Sequence, residues 1–508
     1  MNLRPYQQAA VDAVLSKWKE HRKLLLVLPT GGGKTIVFSK IALARFSAGR
    51  TLILAHRDEL LTQAQDKLQA ATGIVAAREQ AENRAIDEAV VVASIQTMQR
   101  RLDQWAGKFS TVIIDEAHHA LSDSYQEVLA AFGDAKILGV TATPDRGDAK
   151  NLGAYFDEVA YEVDLLTLIK DKYLSPIKVR SVPLNIDISA VKSTAGDFNA
   201  GDLGSALEPY LAAATDALTT HAKDRKTLVF LPLIQTSKRF VELAKARGWN
   251  AEHVDGNSED RTEILARFAA GTTNLLSNSM LLTEGYDDPS INCLMVLRPT
   301  RSRSLYSQMI GRGTRMAFGK SDLLIIDPLW LTGKHTLIKP AHLISGSDDE
   351  ADVMSKAVEN AQSEMDLEGL QVDARRQREE SLRKKLEREA AQAKYRSQNL
   401  VDPIAYALDL HNVRVADYED TMAWHGRDMT DGQRKALIAF GFDLTRVRNR
   451  GHASALIDLL FSRRTQKLAS PKQVVWLKKF GHPSPNTVTF TDASKFLDAA
   501  FQRTRNTK

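Results

Sequence analysis

Short apolar runs recur along the first two thirds of the chain, each followed by a stretch whose apolar residues return at helical spacing. Leu24–Leu28, Thr51–Ala55, Val90–Ser94, Val112–Ile114 and Ile137–Thr141 form one series. Thr227–Leu231, Ala251–Val254, Asn274–Asn278, Cys293–Leu297 and Leu323–Asp327 form a second. Continuous apolar runs of this length read as strands covered on both faces, the habit of parallel sheets flanked by helices. The pattern therefore predicts two α/β units of similar size, over residues 1–165 and 166–345. Leu166–Pro176 reads as the entry into the second unit. Ser193–Gly204, richer in Gly, Asp and Ser, reads as a loop.

From Ser345 the pattern changes. Ser347-Asp348-Asp349-Glu350 opens a polar tract, and Ala374–Arg396 is mostly charged residues, alanine and glutamine. Residues 346–400 are thus expected to be a charged helical linker. Residues 401–508 hold an internal repeat: a shift of 40 aligns Thr430 with Ser470, Gln433 with Gln473, Leu437 with Leu477, Phe440 with Phe480 and Gly441 with Gly481. The match runs on through Ala453/Ala493, Ser454/Ser494, Asp458/Asp498, Phe461/Phe501 and Arg463/Arg503. Each copy opens with Ser/Thr-x-x-Gln, the capping-box spacing, and its glycine stops the first helix. A small all-α domain of two duplicated helical hairpins follows, packed together because neither buries its apolar face alone.

The candidate chemistry sits at the ends of the first strands. Pro29-Thr30-Gly31-Gly32-Gly33-Lys34-Thr35 follows the run Leu24–Leu28, and Asp115-Glu116-Ala117-His118 follows Val112–Ile114. Glycines in such a loop let backbone N–H groups converge on phosphate oxygens at a helix N-terminus. Lys34 would reach the β- and γ-phosphates, and Thr35 and Asp115 would hold Mg²⁺. Glu116 is left as the base that polarises the attacking water. The pair of motifs points to hydrolysis of a nucleotide, which the resemblance given next makes ATP, although Leu28 stands where the general phosphate-loop pattern has glycine.

The series resembles the superfamily 2 helicases, in the DEAH-type branch that holds RadD-like and XPB-like DNA motors and the motor subunits of restriction enzymes. The resemblance implies two tandem RecA-like lobes, and it assigns the remaining motifs in order. Leu3-Arg4-Pro5-Tyr6-Gln7-Gln8 is similar to the adenine-reading segment, with Arg4 and Gln7 toward the nucleotide; an amide offers the donor and acceptor that adenine's edge requires. Ala55-His56-Arg57-Asp58-Glu59-Leu60-Leu61 resembles motif Ia and Ala93-Ser94-Ile95-Gln96-Thr97 motif Ib, which implies nucleic-acid contacts at His56, Arg57, Ser94, Gln96 and Thr97. Thr141-Ala142-Thr143-Pro144 resembles motif III, with both threonines toward the nucleic acid. Thr227–Leu231 and His253-Val254-Asp255-Gly256 resemble motif IV and the segment after it. Leu282–Pro289 resembles motif V, where Gly285 and Asp287 would face the nucleotide and Thr283 the strand. Gln308-Met309-Ile310-Gly311-Arg312-Gly313-Thr314-Arg315 resembles motif VI, which makes Gln308, Arg312 and Arg315 catalytic and puts His118 beside the nucleotide. Arg312 and Arg315, three apart, would share a helix face and project toward the γ-phosphate.

Composition bounds this reading. At 508 residues the chain is long enough for three or four domains, and one cysteine, Cys293, leaves no disulfide framework and no all-cysteine zinc site. No signal peptide or long apolar span is apparent, so a soluble cytoplasmic protein of a bacterial or phage-infected cell is expected. Residues 411–508 carry 17 Lys/Arg against 9 Asp/Glu, whereas the whole chain is only +5. A basic C-terminal domain suggests a DNA grip, and a solvated helical cap is the alternative. The expected partner is DNA, single-stranded, duplex or forked. RNA is disfavoured because the RNA-acting DEAD-box group carries aspartate where this chain has His118 and arginine where it has Met309. An RNA helicase or an ATPase that remodels protein–DNA complexes without strand separation remains open.

Overall fold

The computed structural model describes residues 3–505, except 56–57, 143–151, 195–196, 280–281, 283–285, 333–336, 362, 393–399 and 423. The chain forms two compact units, residues 1–371 and 372–508.

The first unit contains two seven-stranded sheets. In the first sheet, β1 (Lys23–Val27), β2 (Thr51–Ala55), β3 (Ala77–Glu79), β4 (Val90–Ser94), β5 (Thr111–Asp115), β6 (Lys136–Thr141) and β7 (Glu158–Glu162) run parallel in the order β3-β4-β2-β5-β6-β1-β7. Every residue of β2 and β4 is buried, as continuous Val/Leu/Ile runs require of central parallel strands. Each such side chain contributes about 1.5–3 kcal/mol by leaving water. β1 sits between β6 and β7, one strand removed from β5, and in this parallel sheet the loops after β1 and β5 open at the same carboxyl edge.

The second sheet follows β8 (Ile177–Asp187) and a short hairpin of β9 (Ser193–Thr194) and β10 (Asp197–Phe198). Its other strands are β11 (Thr227–Leu231), β12 (Ala251–Val254), β13 (Leu275–Ser279), β14 (Cys293–Val296), β15 (Leu323–Leu331) and β16 (Met365–Asp366). The order is β12-β13-β11-β14-β15-β8-β16, parallel except for β16. All ten strands read from the sequence are present, while β3, β7, β8 and β16 were not anticipated.

Two sequence expectations need correction. The supposed loop 193–204 contains the β9–β10 hairpin and most of the helix Ala200–Leu207, capped by Asn199. Phe198, Leu203 and Leu207 are buried, so spaced apolar residues among Gly and Asp were enough to order the segment. The supposed linker from 346 is, up to Asp366, part of the second lobe. The helix Asp348–Asn360, capped by Ser347, buries Ala351, Met354 and Val358, and β16 then pairs with β8. Helical spacing of three apolar residues outweighs an acidic first turn that itself suits a helix N-terminus.

The second unit is helical and carries the repeat. The helices Asp431–Phe440 and Arg450–Thr465 form one hairpin, and Pro471–Lys479 and Phe490–Arg505 the other. Both capping boxes form. The duplication extends to side-chain bonds: Gln433 Nε2 donates to Ser454 Oγ at 2.8 Å, and Gln473 Nε2 to Ser494 Oγ at 2.9 Å. Leu437, Leu456, Val474, Leu477 and Leu497 share a single core.

Candidate nucleotide site

The loop after β1 turns through Gly31 and Gly33, both at positive φ, into the helix Lys34–Ala44. Space excludes side chains there as well: a Cβ on Gly33 would lie 2.4 Å from Gln7 Nε2, and one on Gly31 2.9 Å from Thr314 Oγ1. The Gly32 carbonyl accepts from Tyr6 OH at 2.8 Å and from Gln7 Nε2 at 3.2 Å. Gln7 Oε1 accepts from the Arg4 backbone N–H at 3.0 Å. Gln7 is thus brought onto the loop, with both ends of its amide engaged by the chain. Arg4 reaches the Tyr173 carbonyl at 3.3 Å and lies over that ring.

Lys34 Nζ donates to Glu116 Oε1 at 2.7 Å, with side-chain exposures of 13 % and 9 %. Burial opposes the lysine's charge, but Glu116 and Asp115 outweigh it and hold the ammonium above its ordinary range. Burial likewise opposes ionisation of Glu116, yet Lys34 and then His118 keep that carboxyl below its usual range. Asp115 is pushed up to about 6 by burial, against the pull of Lys34. Glu116 occupies the left-handed region at φ 53°, a strained backbone for a residue other than glycine. His118 Nδ1 stands 3.6 Å from Glu116 Oε2, an oxygen that is shielded from water and has no hydrogen-bond partner among the described residues. Thr30 Oγ1 is shielded and unbonded in the same way. Thr35, at the start of the helix, is half-buried.

The second lobe closes over this loop. A Cβ on Gly311 would collide with Thr30, and Arg315 Cγ lies 3.7 Å from the ideal Cβ position of Gly31. The motif VI helix, Arg303–Gly311, ends before both arginines, so they do not share a helix face as the sequence spacing suggested. Gly311 approaches Thr30 and Gly313 approaches Leu323 so closely that neither position has room for a side chain. Arg315 instead lies in an extended segment bridged to Leu174, with Ser175 N–H donating to the Thr314 carbonyl at 2.7 Å. Arg312 is buried; its Nη1 donates to the Tyr286 carbonyl at 2.6 Å and its Nε to the Gln308 carbonyl at 3.3 Å. Arg315 pairs with Asp287, and burial pulls its guanidinium down to about 10. Gln308 is buried on the helix.

Two lysines at the cleft had escaped the sequence reading. Lys67, on the helix Asp58–Thr72 that follows the motif Ia segment, lies 3.6 Å from Asp287 Oδ2. Buried Lys320 donates to the carbonyls of Gly313, Arg315 at 2.8 Å and Pro289 at 3.3 Å, tying motif V to motif VI. Neither belongs to one of the motifs; Lys67 meets a carboxylate of the other lobe, and Lys320 gathers carbonyls from both segments.

The residues expected to touch nucleic acid are less gathered. Ser94 Oγ accepts from Thr97 N–H at 3.3 Å and pairs with its hydroxyl at 2.9 Å, capping the helix Ile95–Arg100, while Gln96 is exposed. Thr141 is buried, and its carbonyl receives Leu28 N–H at 3.0 Å. His56, Arg57, Thr143, Thr283 and Gly285 lie outside the described residues. In the helical unit, Arg446, Arg448 and Lys478 pair with Asp402, Asp417 and Asp409. Arg434, Lys435 and Lys472 are exposed, with no acidic partner among the described residues.

Comparison with known proteins agrees with this geometry. Residues 1–146 match the family described as the type III restriction enzyme res subunit, and residues 210–317 the helicase conserved C-terminal domain. The chain is 35 % identical over 373 residues to the putative ATP-dependent helicase IRC3 of Saccharomyces cerevisiae, covering 68 % of this chain and 54 % of that one. It is 24 % identical to the DNA 3'-5' translocase XPB2 of Sulfurisphaera tokodaii, over 61 % of this chain and 78 % of that one. A fragment of a putative HsdR subunit of a type I restriction enzyme from Vibrio vulnificus YJ016 superposes with a TM-score of 0.52 at 26 % identity, covering 64 % of each chain. The chain spans about half the length of the yeast relative. Among the described residues, no helix is long and apolar enough to cross a membrane.

Proposed function

We propose that this chain, which belongs to the superfamily 2 helicases in the branch of restriction-enzyme motors and XPB-like proteins, is an ATP-dependent motor that translocates on DNA or unwinds it. One observation carries the proposal: Lys34 and Glu116 of the first lobe and Arg312 and Arg315 of the second converge on one cleft. The N–H groups of the Gly31–Gly33 turn and the Lys34 ammonium would bind the phosphates of ATP. Glu116 would orient the attacking water and accept its proton. Arg312 and Arg315 would stabilise charge on the transferring phosphoryl group, and their place on the second lobe makes hydrolysis conditional on closure.

Magnesium suits the donors present. Thr35 and Asp115 offer a hydroxyl and a carboxylate, and the unbonded Glu116 Oε2 and Thr30 Oγ1 mark a polar site with capacity to spare. Among the described residues no group of three or more His, Cys, Asp or Glu side chains could hold an ion alone, so Thr35 and Asp115 would share it with the substrate's phosphates. When bound, the ion neutralises phosphate charge. Reopening after hydrolysis would let the strand-facing segments of the two lobes exchange grip on the backbone.

DNA is the proposed track because His118 and Met309 depart from the RNA-acting DEAD-box pattern. The proposed setting is the cytoplasm of a bacterial or phage-infected cell, with DNA repair or recombination as the process served. Displacement of a labelled strand from forked DNA tests the motor directly. It should require ATP and Mg²⁺ and vanish in Lys34→Ala; RNA unwinding alone would contradict the choice of track.

A further inference from the structure

Asp287 receives two cations from two lobes. Its Oδ1 pairs with Arg315 Nη1 of its own lobe, and its Oδ2 lies 3.6 Å from Lys67 Nζ of the other. The three side chains are partly exposed, at 41 %, 21 % and 34 %. Ion pairs at such exposure are weak and exchange readily. Of the two pairs only Asp287–Lys67 crosses the cleft, so parting of the lobes would break it and leave Asp287 with Arg315.

We propose that Lys67 is a positioning residue that senses lobe closure: by sharing the Asp287 carboxylate it releases Arg315 toward the phosphoryl group, coupling the helix after motif Ia to hydrolysis. The inference rests on the motor reading above. In the open cleft an undivided carboxylate holds the guanidinium back. In the closed cleft seen here the ammonium shares the carboxylate with Arg315 and so loosens its hold on the guanidinium, leaving Arg315, packed against Gly31, able to turn to a bound substrate. Lys67 stands in a strongly cationic neighbourhood: burial and then Arg315 and Arg312 draw its own ammonium down to about 8. Two carboxylates offset these charges: Asp287, at ion-pair distance, and Asp115, which pulls the ammonium back up. The helix bearing Lys67 also begins at the segment expected to touch the DNA backbone, so strand engagement and finger release would meet at one side chain.

The test compares Lys67→Met, Lys67→Arg, Asp287→Asn and the double variant Lys67→Met/Asp287→Asn, by DNA-stimulated ATP turnover and by equilibrium binding of a fluorescent ATP analogue. Lys67→Met should lower kcat about tenfold with nucleotide affinity unchanged, and Lys67→Arg should recover most of it. The double variant should turn over no more slowly than Lys67→Met, because without the charge on Asp287 there is nothing for Lys67 to relieve. Wild-type kcat in Lys67→Met, a loss confined to nucleotide affinity, or losses that multiply in the double variant would overturn the inference. If wild-type protein shows no DNA-stimulated, Lys34-dependent turnover, the motor reading fails instead. Thermal unfolding of each variant separates a folding defect from the kinetic effect, and the Lys67→Arg recovery decides the matter where Lys67→Met is unstable.

Discussion

Lys34 of the phosphate loop rests on Glu116, the proposed base, at 2.7 Å. The two groups that must act on opposite sides of a phosphoryl transfer here neutralise one another. Binding of the phosphates would draw Lys34 away and leave Glu116 free to take a proton.

Glu116→Gln should therefore bind ATP at least as tightly as wild type, since the lysine loses a competing anion. Turnover should fall by about 10²-fold or more. Nucleotide titration alongside steady-state hydrolysis checks both halves. Tenfold weaker binding would show that the pair organises the loop rather than competing for it.

Lys320→Met removes the ammonium on which the carbonyls of Pro289, Gly313 and Arg315 converge. Buried acceptors left without a donor cost about 1–3 kcal/mol. Thermal unfolding should report that loss. Turnover should fall at least about tenfold, because motif VI loses its tie to motif V. Wild-type turnover would mean that the Leu174–Arg315 bridge suffices to place the finger.

His452 supplies a pH dependence within the helical unit. It is fully buried, its Nδ1 accepts Arg448 N–H at 3.1 Å, and its ring stacks on Tyr418. Burial, then the Arg448 charge, pulls its pKa down from 6.5 to about 4. A folded-state pKa below the unfolded one means that the unfolded chain binds the proton first. The contribution is therefore present above pH 6.5 and is lost as pH falls from 6.5 toward 4, by on the order of 3 kcal/mol. Unfolding of this unit, followed through Trp424 and Trp476, should show the decline in wild type and a flatter profile in His452→Asn.

The basic residues of the repeat divide into two groups. Neutralising Arg434, Lys435 or Lys472, which lack acidic partners among the described residues, should reduce the slope of log affinity against log salt on duplex DNA by about 0.9 each if each meets a phosphate. Substituting Arg446, Arg448 or Lys478, paired with Asp402, Asp417 and Asp409, should lower stability and leave the slope unchanged. Equal slopes throughout the first group would favour a helical cap over a DNA grip.

Much of this could be read from the chain because the information is local. Most of the ten strands read from the sequence are continuous apolar runs, the phosphate loop and acidic motif are short fixed strings, and the capping boxes repeat at a constant shift. What could not be read depends on distant partners. β16 becomes a strand only by pairing with β8, and the acidic helix before it is recognisable only from three spaced apolar residues. Arg312 and Arg315 could be picked out by their motif, yet the place of Arg315 comes from the bridge to Leu174 rather than from a shared helix face. Lys67 and Lys320 carry no motif, since what distinguishes Lys67 is a carboxylate far away in sequence and what distinguishes Lys320 is the folded path of the chain that turns the carbonyls of Pro289, Gly313 and Arg315 onto it.

The measurement that tests the account most directly is steady-state ATP hydrolysis by wild type and Lys34→Ala, without nucleic acid and with single-stranded, duplex or forked DNA or RNA. The account predicts strong stimulation by DNA, little by RNA, and loss of both basal and stimulated turnover in the variant. Stimulation by RNA alone, or hydrolysis that survives Lys34→Ala, would contradict it.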